Sequence, residues 1–302
     1  MKGPRLKQSL LLLLSFLLPW LPQPSVAQKA TAAATARQPM WKLKGERATV
    51  YLLGSIHTLK KEHYPMAAPI EAAFAKAKVA VFEIDIGAAE DPTTQLKLLA
   101  KVSLPAGETL RDQLSPKTYQ RLTNQLDKTG VPSETIQGLR PGMVALTLLY
   151  LATQRLGYEE KLGVDRHFHQ RARKDEKEII GLETADSQMD LIAGLSKKEG
   201  EALVNDFLNR LDTIEDVLAK SITAWKAGDM KLVADLLNED FADFPEIYKR
   251  FCVDRNRRWL PQIEALVRGN KDAIVIVGTG HLAGKESIIE MLEQKGFKIT
   301  QE

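Results

Sequence analysis

The sequence predicts an α/β fold with a mostly parallel central sheet and helical insertions. Three observations predict it. Apolar runs at 49–53, 79–82 and 273–277 read as buried strands. The first two are separated by a helical stretch, the strand–helix–strand order that implies parallel pairing. The first and last runs end in the same device, Gly54-Ser55-Ile56-His57 and Gly278-Thr279-Gly280-His281, an apolar strand stopping at a glycine turn that presents a histidine.

The elements follow in order. Trp41-Lys42-Leu43-Lys44, the turn Gly45-Glu46-Arg47 and the return at 48–53 form a hairpin signal. A helix is expected over about 68–77. Val79-Ala80-Val81-Phe82-Glu83-Ile84-Asp85 reads as the next strand, with Glu83 and Asp85 on one side of it. The region 92–158 is helical, with a helix start at Ser115-Pro116 and a core helix from Pro141, too short to cross a membrane. Gly163-Val164-Asp165 opens a helix through Arg173, and Glu178-Ile179-Ile180-Gly181-Leu182-Glu183-Thr184 is a third central strand. Helices fill 188–237, broken at Gly194 and at Gly228-Asp229, and 245–267. The chain closes with a strand at 273–277, a helix at 285–295 and a short strand at 298–300. The segment 41–302 is expected to be a single domain, with its insertions at about 92–158 and 188–267.

Residues 1–27 have the pattern of a secretory signal peptide: Lys2, Arg5 and Lys7, an apolar stretch from Leu10 to Leu21, and Ser25-Val26-Ala27 as cleavage signature. The Ala/Thr-rich segment 28–40 reads as a flexible leader. The expected location is therefore periplasmic or secreted, after cleavage near Ala27, with no integral membrane segment in the mature chain. The formal charge of +3 comes from those three leader cations, which have no acidic counterparts, so the rest sums to 3 − 3 = 0. That balance argues against nucleic acid as a partner. Cys252 is the sole cysteine, which excludes an intrachain disulfide, and its neighbours Phe251 and Val253 mark it as a small buried hydrophobe.

Ligands of open parallel sheets bind beyond the carboxyl ends of the strands. The predicted strands end, in chain order, at His57, Glu83, Glu183 and His281, two of them from a chain with five histidines. Two imidazoles with two carboxylates suit a divalent transition metal (Zn, Mn, Fe or Co), with His57, Glu183 and His281 as ligands and Glu83 as general base. His63 sits in a charged loop and reads as solvated. His167 and His169 lie two apart on a helix and so face different ways, with His167 left open to the site. In Asp254-Arg255-Asn256-Arg257-Arg258-Trp259, Arg255 and Asn256 are candidates to orient a carbonyl or stabilise an oxyanion, with Trp259 packed behind.

These motifs, with Gly163-Val164-Asp165, Gly181-Leu182-Glu183-Thr184 and Gly278-Thr279-Gly280-His281-Leu282-Ala283-Gly284, resemble the TraB/GumN family in the same order over about 41–300. That family is related to the Tiki metalloproteases and more distantly to erythromycin esterases and the ChaN haem-binding proteins. The resemblance implies their shared fold and an exported metal-dependent hydrolase, a peptidase acting on a peptide or other small substrate. Carried over, it marks His57, Glu83, Glu183, Arg255, Asn256 and His281; Asp165 matches a motif with no role attached. No HExxH motif is present, so an ordinary zincin is excluded. Two alternatives stand beside this reading: a non-catalytic periplasmic protein binding a peptide or haem-like ligand, and a metal-free esterase with His57 as base.

Overall fold

A computed structural model describes residues 37–302, so the leader at 1–27 and most of 28–40 lie outside the described residues. Six strands form one sheet: β1 (Met40–Lys44), β2 (Thr49–Ser55), β3 (Val79–Phe82), β4 (Glu178–Gly181), β5 (Ala273–Gly278) and β6 (Ile299–Gln301). Their spatial order is β4-β3-β5-β2-β1-β6. The four neighbouring strands β4, β3, β5 and β2 run parallel. β1 is antiparallel to both β2 and β6. The expected hairpin is present, and so is the mostly parallel sheet.

β5 is buried at every residue, as a central parallel strand covered on both faces must be. Alternation divides the sheet's side chains between two cores. Leu53, Phe82, Ile274 and Ile276 join the helical core built from Phe74, Phe168 and the helix Pro141–Arg155. Leu52, Val81, Val275 and Val277 face the helix Asp254–Arg268 through Trp259, Ile263 and Val267, with Leu292 of the helix Ile288–Gln294. The positions 259, 263 and 267 recur at the four-residue spacing of one helix face. That packing fixes the helix axis and leaves its first turn, with Arg255 and Asn256, to be buried at the strand ends.

Local boundaries differ from the pattern reading in an instructive way. β3 ends at Phe82 and β4 at Gly181, so Glu83 and Glu183 lie in the turns that follow the strands. Pairing stops there because the chain bends: Asp85 caps the short helix Ile86–Ala89 by accepting from the Gly87 and Ala88 amides, and Thr184 caps Ala185–Ala193. The last helix begins at Ile288, behind the Ser287 cap, three residues later than expected. Among the described residues no helix is long and apolar enough to cross a membrane.

Candidate functional site

The strand order sets the site. Across the sheet, the residues after neighbouring strands are Glu183, Glu83, His281 and His57, so four residues spread over more than two hundred positions become adjacent. Gly278 marks their common point. A β-carbon built there would lie 3.1 Å from His57 Nε2, 3.2 Å from Glu83 Oε1 and 3.6 Å from His281 Cδ2. Glycine at 278 therefore keeps open a nook lined by three of the four residues.

His57 is buried and its Nδ1 lies 2.6 Å from Asp165 Oδ1. Asp165 reaches it because the helix Val164–Lys174 starts against the His57 loop: Val164 N donates to the Ile56 carbonyl at 2.9 Å, and a β-carbon at Gly163 would fall 2.3 Å from the His57 carbonyl oxygen. A carboxylate accepting at Nδ1 places the proton there and leaves the lone pair on Nε2, on the side of Gly278 and Glu83. Asp165 is the motif residue whose role the sequence left open.

Glu83, Glu183 and His281 surround Arg255. The guanidinium donates from Nε to Glu183 Oε1 at 2.9 Å and from one terminal nitrogen to Glu183 Oε1 at 2.6 Å and to Glu83 Oε2. Its other terminal nitrogen donates to the Phe251 carbonyl at 3.0 Å and contacts His281 Nε2 at 3.1 Å. The Trp259 ring lies beneath it, 4.5 Å from the guanidinium carbon, and meets the His281 ring at a tilt of 50° with centroids 4.5 Å apart. His281 Nδ1 pairs with Asn256 Oδ1 at 2.7 Å, and Asn256 Nδ2 donates to the Glu286 carbonyl at 2.9 Å. Gln188, on the helix after Glu183, is buried and points its amide nitrogen at both carboxylates, 3.3 Å from each.

The electrostatics follow from this packing. Burial alone would raise the Glu83 carboxyl, but Arg255, the two imidazoles and the Gly278 amide, whose N–H donates at 2.7 Å, hold it down to about 2. Glu183 goes the other way: burial raises it, with a contribution from Glu83, against the pull of Arg255. Burial drives His281 down to about 3, so it is neutral at physiological pH. The cluster of two carboxylates and one guanidinium carries one excess negative charge, and Arg258, largely exposed, reaches Glu183 Oε2 only at 3.8 Å. Several buried polar atoms here have no hydrogen-bond partner: Glu183 Oε2, Gln188 Oε1, Trp259 Nε1, and, beside His57 in sequence, Ser55 Oγ and Thr58 Oγ1.

The residues expected as metal ligands, His57, Glu183 and His281, are not arranged as a ligand shell. Among the described residues no group of three or more His, Cys, Asp or Glu side chains is disposed to hold a metal ion. The physical reason is Arg255, which takes Glu83 Oε2, Glu183 Oε1 and His281 Nε2 together. Arg255 and Asn256, expected to act on a carbonyl, lie in this cluster and hydrogen-bond to Glu83, Glu183, the Phe251 carbonyl, His281 and the Glu286 carbonyl.

Asp85 does not share the Glu83 side. It turns away to cap its helix and meets His169 Nε2 at 3.0 Å. His167 packs against Tyr64, with centroids 4.7 Å apart, and burial lowers it to about 4. His63 Nδ1 accepts from the Lys60 amide at 2.9 Å. Sequence reasoning missed Gln188 entirely. Its only available signal was its place one turn into a helix that follows Glu183.

Comparison with known proteins agrees with the motif order. The family model described as "TraB/PrgY/gumN family" matches residues 39–301. The chain is 26% identical over 250 residues to "Uncharacterized protein YbaP" of Shigella flexneri, covering 83% of this chain and 89% of that protein. It is 26% identical over 242 residues to the Escherichia coli protein of the same description, covering 80% and 87%. It is also 22% identical to "Metalloprotease TIKI1" of Danio rerio, covering 92% of this chain and 65% of that protein. No solved structure matches the chain.

Proposed function

We propose, from the premise that this chain belongs to the TraB/PrgY/gumN family, that it is an exported hydrolase cleaving an amide or ester bond, a peptide being the first substrate class to test. The observation that carries the reading is the buried His57–Asp165 pair beside the Gly278 nook. The similarity to proteins named metalloprotease supports hydrolysis as the reaction class. Export and a periplasmic location rest on the leader pattern of residues 1–27.

In this reading Nε2 of His57 removes a proton from water as the water oxygen attacks the substrate carbonyl carbon. Asp165 holds the ring in the required tautomer and stabilises the imidazolium that forms. Glu83, kept ionised, adds a second negative charge near that imidazolium. When the tetrahedral intermediate collapses, His57 returns the proton to the leaving nitrogen or oxygen, and the carbonyl is restored. Gly278 leaves room for the water, and the Arg255 cluster fixes Glu83 and His281 around it. A metal does not fit the residues as arranged, so no step is routed through one.

The test is hydrolysis of a panel of peptides and simple esters by the purified chain and by His57→Ala. Loss of turnover by at least about 100-fold in the variant is the expected result. Undiminished activity without His57 would remove the histidine from the mechanism, and absence of turnover by either protein would favour a binding role for the site.

A further inference from the structure

Away from the strand ends, a cavity of about 530 Å³ opens where the helices Pro116–Thr129, Pro141–Arg155 and Lys197–Arg210 end together. The turn Leu211–Thr213 and the start of the helix Ile214–Lys226 complete its wall. It shares no residue with the cluster around Gly278. Side chains on a helix lean toward its N-terminus, so three C-terminal ends that meet leave space that nothing behind them fills. The volume lies within the range of small-molecule pockets, roughly 300–1,000 Å³. Leu151, Ala152, Leu156, Phe207, Leu208 and Leu211 form the wall, and each is only half-buried, so apolar surface is left uncovered inside a recess.

The rim carries charge of both signs. Lys128 and Arg155 occupy one corner, brought together where Arg155 Nη2 donates to the Lys128 carbonyl at 3.3 Å. Asp212 and Glu215, three residues apart where the last helix begins, supply the other. All four side chains are exposed, and among the described residues none of them forms an ion pair, with each other or with a further residue. An apolar wall between a cationic and an anionic corner is complementary to a molecule with an apolar body and both charges.

We propose that this cavity is a second binding site, taking a short apolar peptide with both termini free. The carboxylate lies toward Lys128 and Arg155, the ammonium toward Asp212 and Glu215, and the apolar side chains cover the Leu151–Phe207 wall. The inference does not rest on the hydrolase reading, because it concerns a separate cavity and binding alone.

The experiment is a saturation-transfer NMR titration of the full chain with the dipeptide leucyl-leucine, repeated on His57→Ala protein to keep hydrolysis of the probe out of the comparison. Binding should saturate at millimolar peptide. The N-acetylated and the amidated dipeptides, each lacking one charge, should bind at least about 5-fold more weakly. Ala152→Trp, which fills the cavity, should remove the binding, while Gly278→Ala, at the strand ends, should keep it. No saturable binding by the wild-type chain would overturn the proposal. So would equal or tighter binding of a blocked dipeptide or of dodecanoate, which would make the ligand merely apolar or anionic. A loss in Gly278→Ala as great as in Ala152→Trp would place the peptide at the strand ends instead. If Ala152→Trp fails to fold, the exposed rim serves: Lys128→Glu and Glu215→Lys should each weaken leucyl-leucine by about 3-fold or more, and unchanged binding by both would refute the site.

Discussion

His57 and Asp165 are 108 residues apart in sequence and 2.6 Å apart in the fold, with both residues buried. The strand that delivers the histidine and the helix that delivers the carboxylate are joined by a single backbone contact, Val164 N to the Ile56 carbonyl, at a glycine that admits no side chain. The pair is thus a property of how the helix Val164–Lys174 docks on the loop after β2.

Replacing Asp165 should therefore separate turnover from folding. Asp165→Ala is expected to lower kcat by about 10²- to 10⁴-fold while KM changes little, because the carboxylate acts through the imidazole. Steady-state kinetics on the best panel substrate checks this. Retention of full kcat would show that the pair is only structural.

Gly278→Ala should abolish activity without unfolding the chain. The added methyl would lie 3.1 to 3.6 Å from His57, Glu83 and His281, within the nook that the reacting water needs. Overpacking of this kind costs on the order of 1–3 kcal/mol, less than a domain's whole stability. Activity assays beside urea unfolding measure both halves. A fully active Gly278→Ala protein would place the reacting water elsewhere.

Stability should fall as pH drops from about 7 toward 4.5. His281, held at about 3 by burial, and His167, held at about 4, are neutral in the fold, whereas histidine in the unfolded chain takes up a proton near 6.5. Their contribution is complete above 6.5 and is lost as pH falls through that value. Glu83, held at about 2, adds a second loss once pH passes below about 4.5. Glu183 has a raised carboxyl, so its contribution has the opposite sign: present at low pH, lost as pH rises, and a partial offset to the others. Thermal melts across pH 4.5 to 7.5 should show a declining melting temperature toward acid. A flat profile would mean that His281 and His167 are hydrated in solution.

Cys252 should ignore thiol reagents until the protein unfolds. It is fully buried, and burial first, then Glu83, pushes its thiol above the ordinary range despite the nearby Arg255. Thiolate is the reactive form, so labelling should track global unfolding in denaturant. Rapid labelling of the native chain would reveal local opening of the π-turn Lys249–Val253 that carries it.

Local pattern alone determined the strands, their parallel character and the residues at their ends. An all-apolar run such as Ala273-Ile274-Val275-Ile276-Val277 can be stable only between two covered faces, and the Gly-x-x-His turn after it places a histidine at the carboxyl end of the strand. The helix at Pro141–Arg155 and the hairpin of β1 and β2 were legible for the same reason: periodicity and turn chemistry are written within a few neighbouring residues. The tertiary structure decided the rest. That β5 lies between β2 and β3, bringing His281 between His57 and Glu83, depends on crossover packing over long separations. That Asp85 turns away while Asp165 turns in depends on a cap and a docking glycine. That Arg255 fills the space between two carboxylates depends on how the helix Asp254–Arg268 seats Trp259, Ile263 and Val267 on the sheet. A charged residue's pattern in sequence is the same whether it meets water or a buried partner. Only packing, which sets the desolvation and supplies the counter-charge, chooses between them.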